Sequence, residues 1–367
     1  MAICLSHGGR SIYSSSSPSS EVLVGTVSGV YTVQRESTKK WKVSGKALEG
    51  LHIHALVSDP SSGLIFAGAH NGSIYASKDF GATWSLRENG LTEKNIYSLN
   101  VTRRGGRVKL YAGTEPAHLF ESDDLGESWY DLRSLHSVPS FPRWTFPAPP
   151  HKAHVKYIEF DPQDSNTIYV CVEVGGLLRS RDGGQSWQEL HGFMENVDFP
   201  LPAGAVPDDV HRLLIRPSDP KYLYISGGMG ICHSRDGGKS WEHLTTPQTR
   251  IGYPDPFVFH PGREDLMFMA GAIVNPRTWG QTRTADSRIA RSRDGGRNWE
   301  MLNEGLPEKI RGNFEAMAIE VWNGSCSLFA GTTDGEIFYS EDEGDQWTKI
   351  VEGIPPISKG EHYTRLR

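Results

Sequence analysis

Histidine, glutamate and lysine side chains recur at corresponding places in a repeated strand pattern of this 367-residue chain. Two positions beyond the small residue that ends one strand of each repeat stand Val27, His70, Glu115, Glu173, Gly228, Ile273 and Thr333. Six positions before the turn that follows another strand stand His54, Tyr97, Lys156, His211, Asp255 and Met317. Corresponding strand ends of a repeat fold lie on one face, so we expect the ionisable members to converge there. A misalignment of one residue would exchange members of each set, because neighbouring strand positions face opposite ways.

Imidazoles and carboxylates gathered around one centre are typical of a divalent cation site. The expected metal ligands are His54, His70, His154 and His211, and the expected ion is Zn, Mn or Fe. Glu115 and Glu173 are expected to be further ligands or the catalytic base. Such an ion needs an open position at which water or substrate is activated. Two alternatives stay open. Either Glu115 or Glu173 works as acid or base beside a histidine without metal, or these residues line a channel and do no chemistry.

Inserted loops and Tyr97 are the expected substrate contacts. The segment PSFPRWTFPAPP sets Arg143 and Trp144 between prolines that stiffen the loop, and an aromatic ring beside a guanidinium suits a planar or carboxylated ligand. Arg277 is the corresponding candidate in a second loop. The alternative for the first loop is a stiff lid that packs on the rim. Lys156 is expected as a base or as the partner of an anion, with an ordinary surface lysine as its alternative.

One eight-residue motif, Ser-x-Asp-x-Gly-x-x-Trp, organises the chain around these candidates. It occurs six times and ends at Trp84, Trp129, Trp187, Trp241, Trp299 and Trp347. Short β-branched or aromatic runs such as LIFAG and TIYVC precede each copy, which predicts strands, and no helical periodicity longer than two turns interrupts them. The Asp is expected to accept backbone N–H bonds within a turn while the Gly adopts a left-handed conformation. The six aspartates are therefore predicted to be structural rather than catalytic.

The motif resembles the Asp-box (BNR) repeat of sialidases, xyloglucanases, sortilin-type receptors and photosystem II assembly factors. The resemblance implies an all-β fold, a seven-bladed β-propeller with six Asp-box turns, because a seventh unit without a box (VLVGTVSGVYTV, then Trp41) precedes the first copy. Residues 1–367 are expected to form a single domain whose ring is closed by a terminal strand. Residues 362–367 are favoured for that strand over the N-terminal MAICLS.

Propeller topology predicts that the three long insertions share one face, opposite the Asp boxes. These insertions are residues 134–150, 191–209 and 273–289. Long loops on one rim of a repeat fold usually build a binding site. The predicted His/Glu centre opens toward the same face.

Composition excludes several function classes. The net charge is −6 and basic residues are not clustered, so no nucleic-acid partner is expected. No apolar stretch is long enough to span a membrane, and the N-terminus has no secretory signal pattern. The four cysteines stand far apart, as expected of buried reduced thiols. A cytoplasmic location is therefore predicted, and the oligomeric state stays open.

These features predict a cytoplasmic hydrolase or lyase that acts on a small polar or sugar-like substrate at a metal-assisted His/Glu centre. One alternative is a non-catalytic propeller that binds or assembles proteins. Another is a sialidase-like glycosidase, but the Arg-Ile-Pro segment of sialidases does not occur in this chain. Xyloglucanases resemble the chain in its boxes but pair two propellers and use two aspartates across a cleft. The resemblance thus implies a fold and leaves the activity to the site.

Overall fold

Short strands bounded by turns make up almost all regular structure. The computed structural model describes residues 2–37, 39–193, 209–228, 230–245, 251–273, 276–360 and 362–366. In chain order the strands are β1 (Ile3–Leu5), β2 (Ile12–Ser14), β3 (Glu21–Thr26), β4 (Gly29–Ser37), β5 (Lys40–Ala47), β6 (His52–Ser58), β7 (Ile65–His70), β8 (Ser73–Ser77), β9 (Ser85–Leu86), β10 (Ile96–Arg104), β11 (Arg107–Thr114), β12 (Leu119–Ser122), β13 (Tyr130–Asp131), β14 (His154–Phe160), β15 (Ile168–Glu173), β16 (Gly176–Ser180), β17 (Gln188–Leu190), β18 (Val210–Ile215), β19 (Leu223–Gly227), β20 (Gly230–Ser234), β21 (Glu242–His243), β22 (Tyr253–His260), β23 (Arg263–Ala272), β24 (Arg288–Ser292), β25 (Glu300–Leu302), β26 (Phe314–Trp322), β27 (Ser325–Thr332), β28 (Ile337–Ser340) and β29 (Thr348–Val351). The helices of the described residues are α1 (Trp279–Thr282), α2 (His362–Arg365) and three 3₁₀ turns at Arg133–Ser137, Phe141–Arg143 and Pro276–Thr278.

The strands form seven sheets, so the fold is the predicted all-β, seven-bladed β-propeller. Their strand orders are β1-β3-β4-β5, β6-β7-β8-β9, β10-β11-β12-β13, β14-β15-β16-β17, β18-β19-β20-β21, β22-β23-β24-β25 and β2-β26-β27-β28-β29. The unit without a box supplies β3, β4 and β5, as its strand pattern predicted. None of the helices in the described ranges is long and apolar enough to span a membrane.

The chain divides into two compact units. The first unit comprises residues 1–67, 76–85 and 245–367, and the second comprises residues 68–75 and 86–244. Buried apolar side chains fill each unit, for example Val258, Phe268 and Leu328 in the first and Val155, Val170 and Leu178 in the second. That the whole chain is one domain stays a prediction.

The N-terminus, and not the C-terminal segment, supplies the additional parallel strands of the first unit. β1 pairs in parallel with β3 and β2 pairs in parallel with β26. The favoured prediction of a strand at residues 362–367 was wrong, because His362–Arg365 is helical. The chain turns just before this helix at Gly360, whose φ is 48°, and the His362–Glu315 contact holds the segment.

The aspartate of the repeated motif is used inside its own turn. In all six copies the Ser hydroxyl donates to Asp Oδ1 at 2.7–2.9 Å, and the N–H of the residue four beyond the Asp donates to the same oxygen at 2.8–3.0 Å. Hydrogen bonds from Ser and Thr hydroxyls and from the backbone lower the pKa of Asp79 and of Asp182 to about 2. These carboxylates stabilise turns.

A β-bulge near the start of the first strand positions one polar side chain in each of five sheets. The extra residue is Tyr97 in β10, Lys156 in β14, His211 in β18, Asp255 (with Pro256) in β22 and Glu315 in β26. A bulge re-aims the side chain of the unpaired residue and is common beside active sites. Tyr97, Lys156, His211 and Asp255 belong to the predicted set, whose other members were His54, in β6, and Met317. Glu315 replaces Met317, because β26 continues to Trp322 and a count back from its turn stops two residues short.

Candidate functional site

Within the second unit, a histidine lies between two glutamates. His154 begins β14, Glu173 ends the neighbouring strand β15, and the two residues are paired across the sheet. His154 Nε2 is 2.7 Å from Glu173 Oε2, and His154 Nδ1 is 3.5 Å from Glu115 Oε2. Glu115 follows β11 of the adjacent sheet and accepts a hydrogen bond from Asn95 Nδ2 at 3.2 Å. Both nitrogens of the imidazole therefore face a carboxylate.

Two bulge residues complete this cluster around Glu173. Lys156 Nζ lies 3.1 Å from Glu173 Oε2, and His211 Nε2 lies 3.5 Å from Glu173 Oε1. His211 Nε2 is also 3.1 Å from Oδ1 of Asp209, a residue that the sequence analysis did not single out. Three consecutive sheets thus bring these side chains, the site cluster, to one place.

Aromatic rings border the cluster. The Tyr97 ring stacks on His154 with 3.8 Å between centroids, and the Phe146 ring lies 5.0 Å from the same imidazole. Hydrogen bonds from β10 to β14 fix this geometry, because Ser98 Oγ donates to Val155 O at 2.7 Å and Asn100 Nδ2 donates to Ile158 O at 2.7 Å. The sheets can approach so closely because a Cβ at position 113, which is glycine, would overlap Val155.

Glu115 is the most exposed acid of the cluster. Its side chain is 13% exposed, against 0% for His154 and 4% for Glu173. Burial alone would lower the pKa of His154, but hydrogen bonds and charge contacts with Glu115 and Glu173 outweigh burial and raise the pKa above its usual value. Buried groups with such charge partners are typical of functional sites, although ion-pair networks produce them as well.

The other predicted site residues are described by their own surroundings. Arg143 is exposed, and the Trp144 indole donates to Ser140 Oγ at 2.8 Å and packs with the apolar side chains of the second unit. His70 ends β7 in the second unit. His54 and Arg277 belong to the first unit, where Gly360 N lies 3.5 Å from His54 Nε2 and Arg277 is exposed. Their roles in metal or substrate binding stay predictions.

The inserted loops are described only in part. The segment 134–150 contains two 3₁₀ turns and carries Phe146 to the site cluster. Residues 194–208 of the second insertion and residues 274–275 of the third lie outside the described residues. All four cysteines of the chain are buried and free, as expected for reduced thiols. The cytoplasmic location stays a prediction.

The first unit holds a second buried cluster of ionisable groups. Glu315 accepts hydrogen bonds from Ser358 Oγ at 3.0 Å and from the Lys359 N–H at 2.7 Å, and it pairs with His362 Nδ1 at 2.6 Å. Lys359 Nζ is 3.3 Å from both carboxylate oxygens of Asp255. The C-terminal segment thus supplies partners to two buried acids. Sequence reasoning missed this pairing because Lys359 and His362 lie outside the repeats.

His136 of the first insertion leads to a pH prediction. It is half-buried, its Nε2 lies 2.8 Å from Ala117 O, and its ring stacks on Phe141. Burial lowers its pKa from the usual 6.5, and the nearby His118 and Arg133 add to this, against the Ala117 carbonyl and Asp131, which raise it. A lowered folded pKa means that the stabilisation is present above the unfolded pKa and is lost as the pH falls through the folded value.

We therefore expect the free energy of unfolding of the wild type to fall relative to that of His136→Gln between pH 7.5 and pH 5, in urea titrations at each pH. Glutamine keeps a donor for the Ala117 carbonyl without titrating. The assignment of a lowered pKa to His136 would be contradicted if the wild type did not lose stability relative to His136→Gln as the pH falls.

Comparison with known proteins agrees with the fold and spans only part of each curated relative. No protein-family model matches the chain. An oligoxyloglucan-reducing end-specific xyloglucanase of Emericella nidulans is 24% identical over 220 residues, which cover 52% of this chain and 25% of that enzyme. The photosystem II assembly protein Ycf48 of Thermosynechococcus vestitus is 23% identical over 209 residues, which cover 57% of this chain and 51% of that protein.

Solved structures resemble the chain over more of its length. An ancestral GH74 enzyme has a TM-score of 0.61 at 18% identity, covering 82% of this chain and 39% of its own. YCF48 bound to D1 peptide has a TM-score of 0.53 at 17% identity, covering 92% of this chain and 87% of its own. The chain is thus a seven-bladed β-propeller similar to xyloglucanases and to a photosystem II assembly factor.

Proposed function

We propose that this chain is a hydrolase that acts on a sugar-like substrate at the site cluster, with Glu115 as the proton-transferring residue. The observation that carries the proposal is the chain of contacts from Glu115 through His154 to Glu173, bordered by Lys156 and His211. Ion pairs this deeply buried cost desolvation energy and are weak devices for stability alone. The similarity to a xyloglucanase supports a sugar as the substrate class.

Exposure and hydrogen bonding suggest separate roles for the members. Glu115 is the acid that a substrate oxygen can reach, and Asn95 and His154 orient its two carboxylate oxygens. General acid–base catalysis by such a group contributes about 10²- to 10⁴-fold. His154, Glu173 and Lys156 act as positioning residues that hold the charge around Glu115. The same groups suit a lyase, in which Glu115 removes a proton instead of protonating a leaving oxygen.

Turnover tests this proposal directly. The purified full chain is incubated with xyloglucan oligosaccharides, other neutral oligosaccharides, uronic-acid oligosaccharides and sialyllactose. New reducing ends without ultraviolet absorbance indicate hydrolysis, whereas absorbance from an unsaturated product indicates a lyase. Release of sialic acid would favour the sialidase-like alternative. No turnover of any member of the panel would count against an enzyme at this site.

A second candidate is a non-catalytic propeller that binds a protein segment. It is favoured by the similarity to YCF48, which has been solved with a bound D1 peptide and matches 92% of this chain. This candidate predicts a stoichiometric partner in pull-downs from the native cell. Binding that persists in His154→Gln and Glu115→Gln, together with absent turnover, would support it over the hydrolase.

A further inference from the structure

Three potential metal ligands, one of which is Glu173, lie close together in the site cluster. Oxygens of Glu173 and Asp209 and a nitrogen of His211 all lie within 4.8 Å of one another. The His211 Nε2 atom is 3.1 Å from Asp209 Oδ1 and 3.5 Å from Glu173 Oε1. Nitrogen and oxygen ligands bind a transition ion at about 2.0–2.2 Å, which puts adjacent ligand atoms roughly 3–3.5 Å apart. We propose that Glu173, Asp209 and His211 bind one divalent transition-metal ion of the Zn²⁺ or Mn²⁺ type.

Asp209 provides an observation independent of this spacing. The residue is only 8% exposed, yet its Oδ1 has no hydrogen-bond donor in the described part of the chain. A buried carboxylate oxygen without a donor is unfavourable unless a cation satisfies it. Asp209 Oδ1 lies close to His211 Nε2 but forms no hydrogen bond with it. Two atoms that bind the same metal ion have this arrangement.

The Oε2 atom of Glu173 has the contacts that are usual for a metal-binding carboxylate, whose second oxygen is held by neighbouring side chains. His154 Nε2 and Lys156 Nζ contact Oε2 at 2.7 and 3.1 Å, while Oε1 faces His211. Such outer contacts orient a ligating carboxylate and fix its charge. Lys156 therefore supports Glu173 from the side opposite the ion.

The charge of the three ligands suits a divalent cation. Glu173 and Asp209 would bring two carboxylates to the ion, and His211 would bind it as a neutral imidazole. Carboxylate and imidazole ligands together suit Zn²⁺ and Mn²⁺.

The buried cluster of the first unit provides a comparison with the proposed metal site. His7, Asp255 and Glu315 also bring ligand atoms within 4.8 Å of one another. There Lys359 Nζ contacts both oxygens of Asp255 at 3.3 Å, and donors of the C-terminal segment take up both oxygens of Glu315. A cation is thus already in place, and we expect one metal ion per chain rather than two.

This inference deepens the proposed function. The role of the ion in catalysis rests on that function, whereas the binding of the ion does not. A bound ion would lower the pKa of a water molecule and so supply a nucleophile near Glu115. Binding of the ion itself is measured without turnover. A failure of one proposal is therefore distinguishable from a failure of the other.

The test uses the full chain after dialysis against a chelator. Isothermal titration with Zn²⁺ or Mn²⁺ is expected to give one equivalent, and Co²⁺ is expected to give visible d–d absorption. Asp209→Asn, which keeps the side-chain volume, is expected to weaken binding at least about a hundredfold, since loss of an outer partner alone costs 10- to 100-fold. His211→Gln should do the same and serves if the first variant fails to fold by circular dichroism.

The matched control is Asp255→Asn, the same chemical change in the second cluster, which should leave one equivalent with unchanged affinity. Three results would overturn the site: no stoichiometric binding of any of the three ions, unchanged affinity in both folded ligand variants, or loss of the ion in Asp255→Asn. Stoichiometric binding without turnover of any sugar would sustain the metal site and refute the hydrolase.

Discussion

Glu115→Gln is expected to lower kcat on a cleaved sugar substrate by about 10²- to 10⁴-fold, the usual contribution of general acid–base catalysis. Glutamine keeps the shape of the side chain and can still accept a hydrogen bond from Asn95, which donates to Glu115 Oε1 at 3.2 Å. It cannot exchange a proton. The side chain is partly exposed, so little stability should be lost. Initial rates at saturating substrate measure the effect.

The control for this prediction is Glu127→Gln in the same unit. Glu127 pairs with Arg87 at 3.0 Å, and its side chain is 60% exposed. The same chemical change there should leave kcat within about twofold, since exposed ion pairs contribute little. An unchanged kcat in Glu115→Gln would remove this residue from the reaction, whatever else the site does.

The second large effect is on stability. Lys156→Met is expected to lower the free energy of unfolding by about 3 kcal/mol, because it removes the ammonium from a carboxylate that is 4% exposed and leaves that charge undercompensated. Methionine fills similar space without charge. Urea unfolding followed by circular dichroism, in buffer with chelator, measures the change.

A double variant separates the ion pair from packing. Adding Glu173→Gln to Lys156→Met removes both charges, so the double variant should lose clearly less than the sum of the two single variants. Lys94→Met is the control, since Lys94 pairs with Glu88 at 2.9 Å and is 53% exposed, and it should cost about 0.5 kcal/mol or less. Additive single effects would show that Lys156 does not stabilise the fold through Glu173.

Much of the site could be predicted from the sequence, because its residues stand at fixed places relative to repeated turns. Tyr97, Lys156 and His211 were found by counting back from a turn, and the bulges explain why one counted position carries a polar residue in sheet after sheet. The same count selected Met317 instead of Glu315, because it cannot allow for a strand of different length.

Asp209 and Lys359 could not be found in that way. Asp209 precedes a strand and Lys359 lies in the C-terminal segment, so neither occupies a repeated position. Their roles depend on where a connecting segment brings its polar atoms. A periodic pattern contains no information about that.

The sequence by itself determined the architecture: six stapling turns and seven sets of short strands bury their apolar faces only when they pack as blades. Tertiary structure alone decided which acids meet which cations. Glu173 contacts His154 and Lys156, and the C-terminal segment ends in a helix instead of a closing strand and places Lys359 and His362 beside buried acids. The physical reason is the distance along the chain over which each effect acts. Turn and strand propensities act over a few residues, whereas the pairing of a buried charge is set by the folded chain around it.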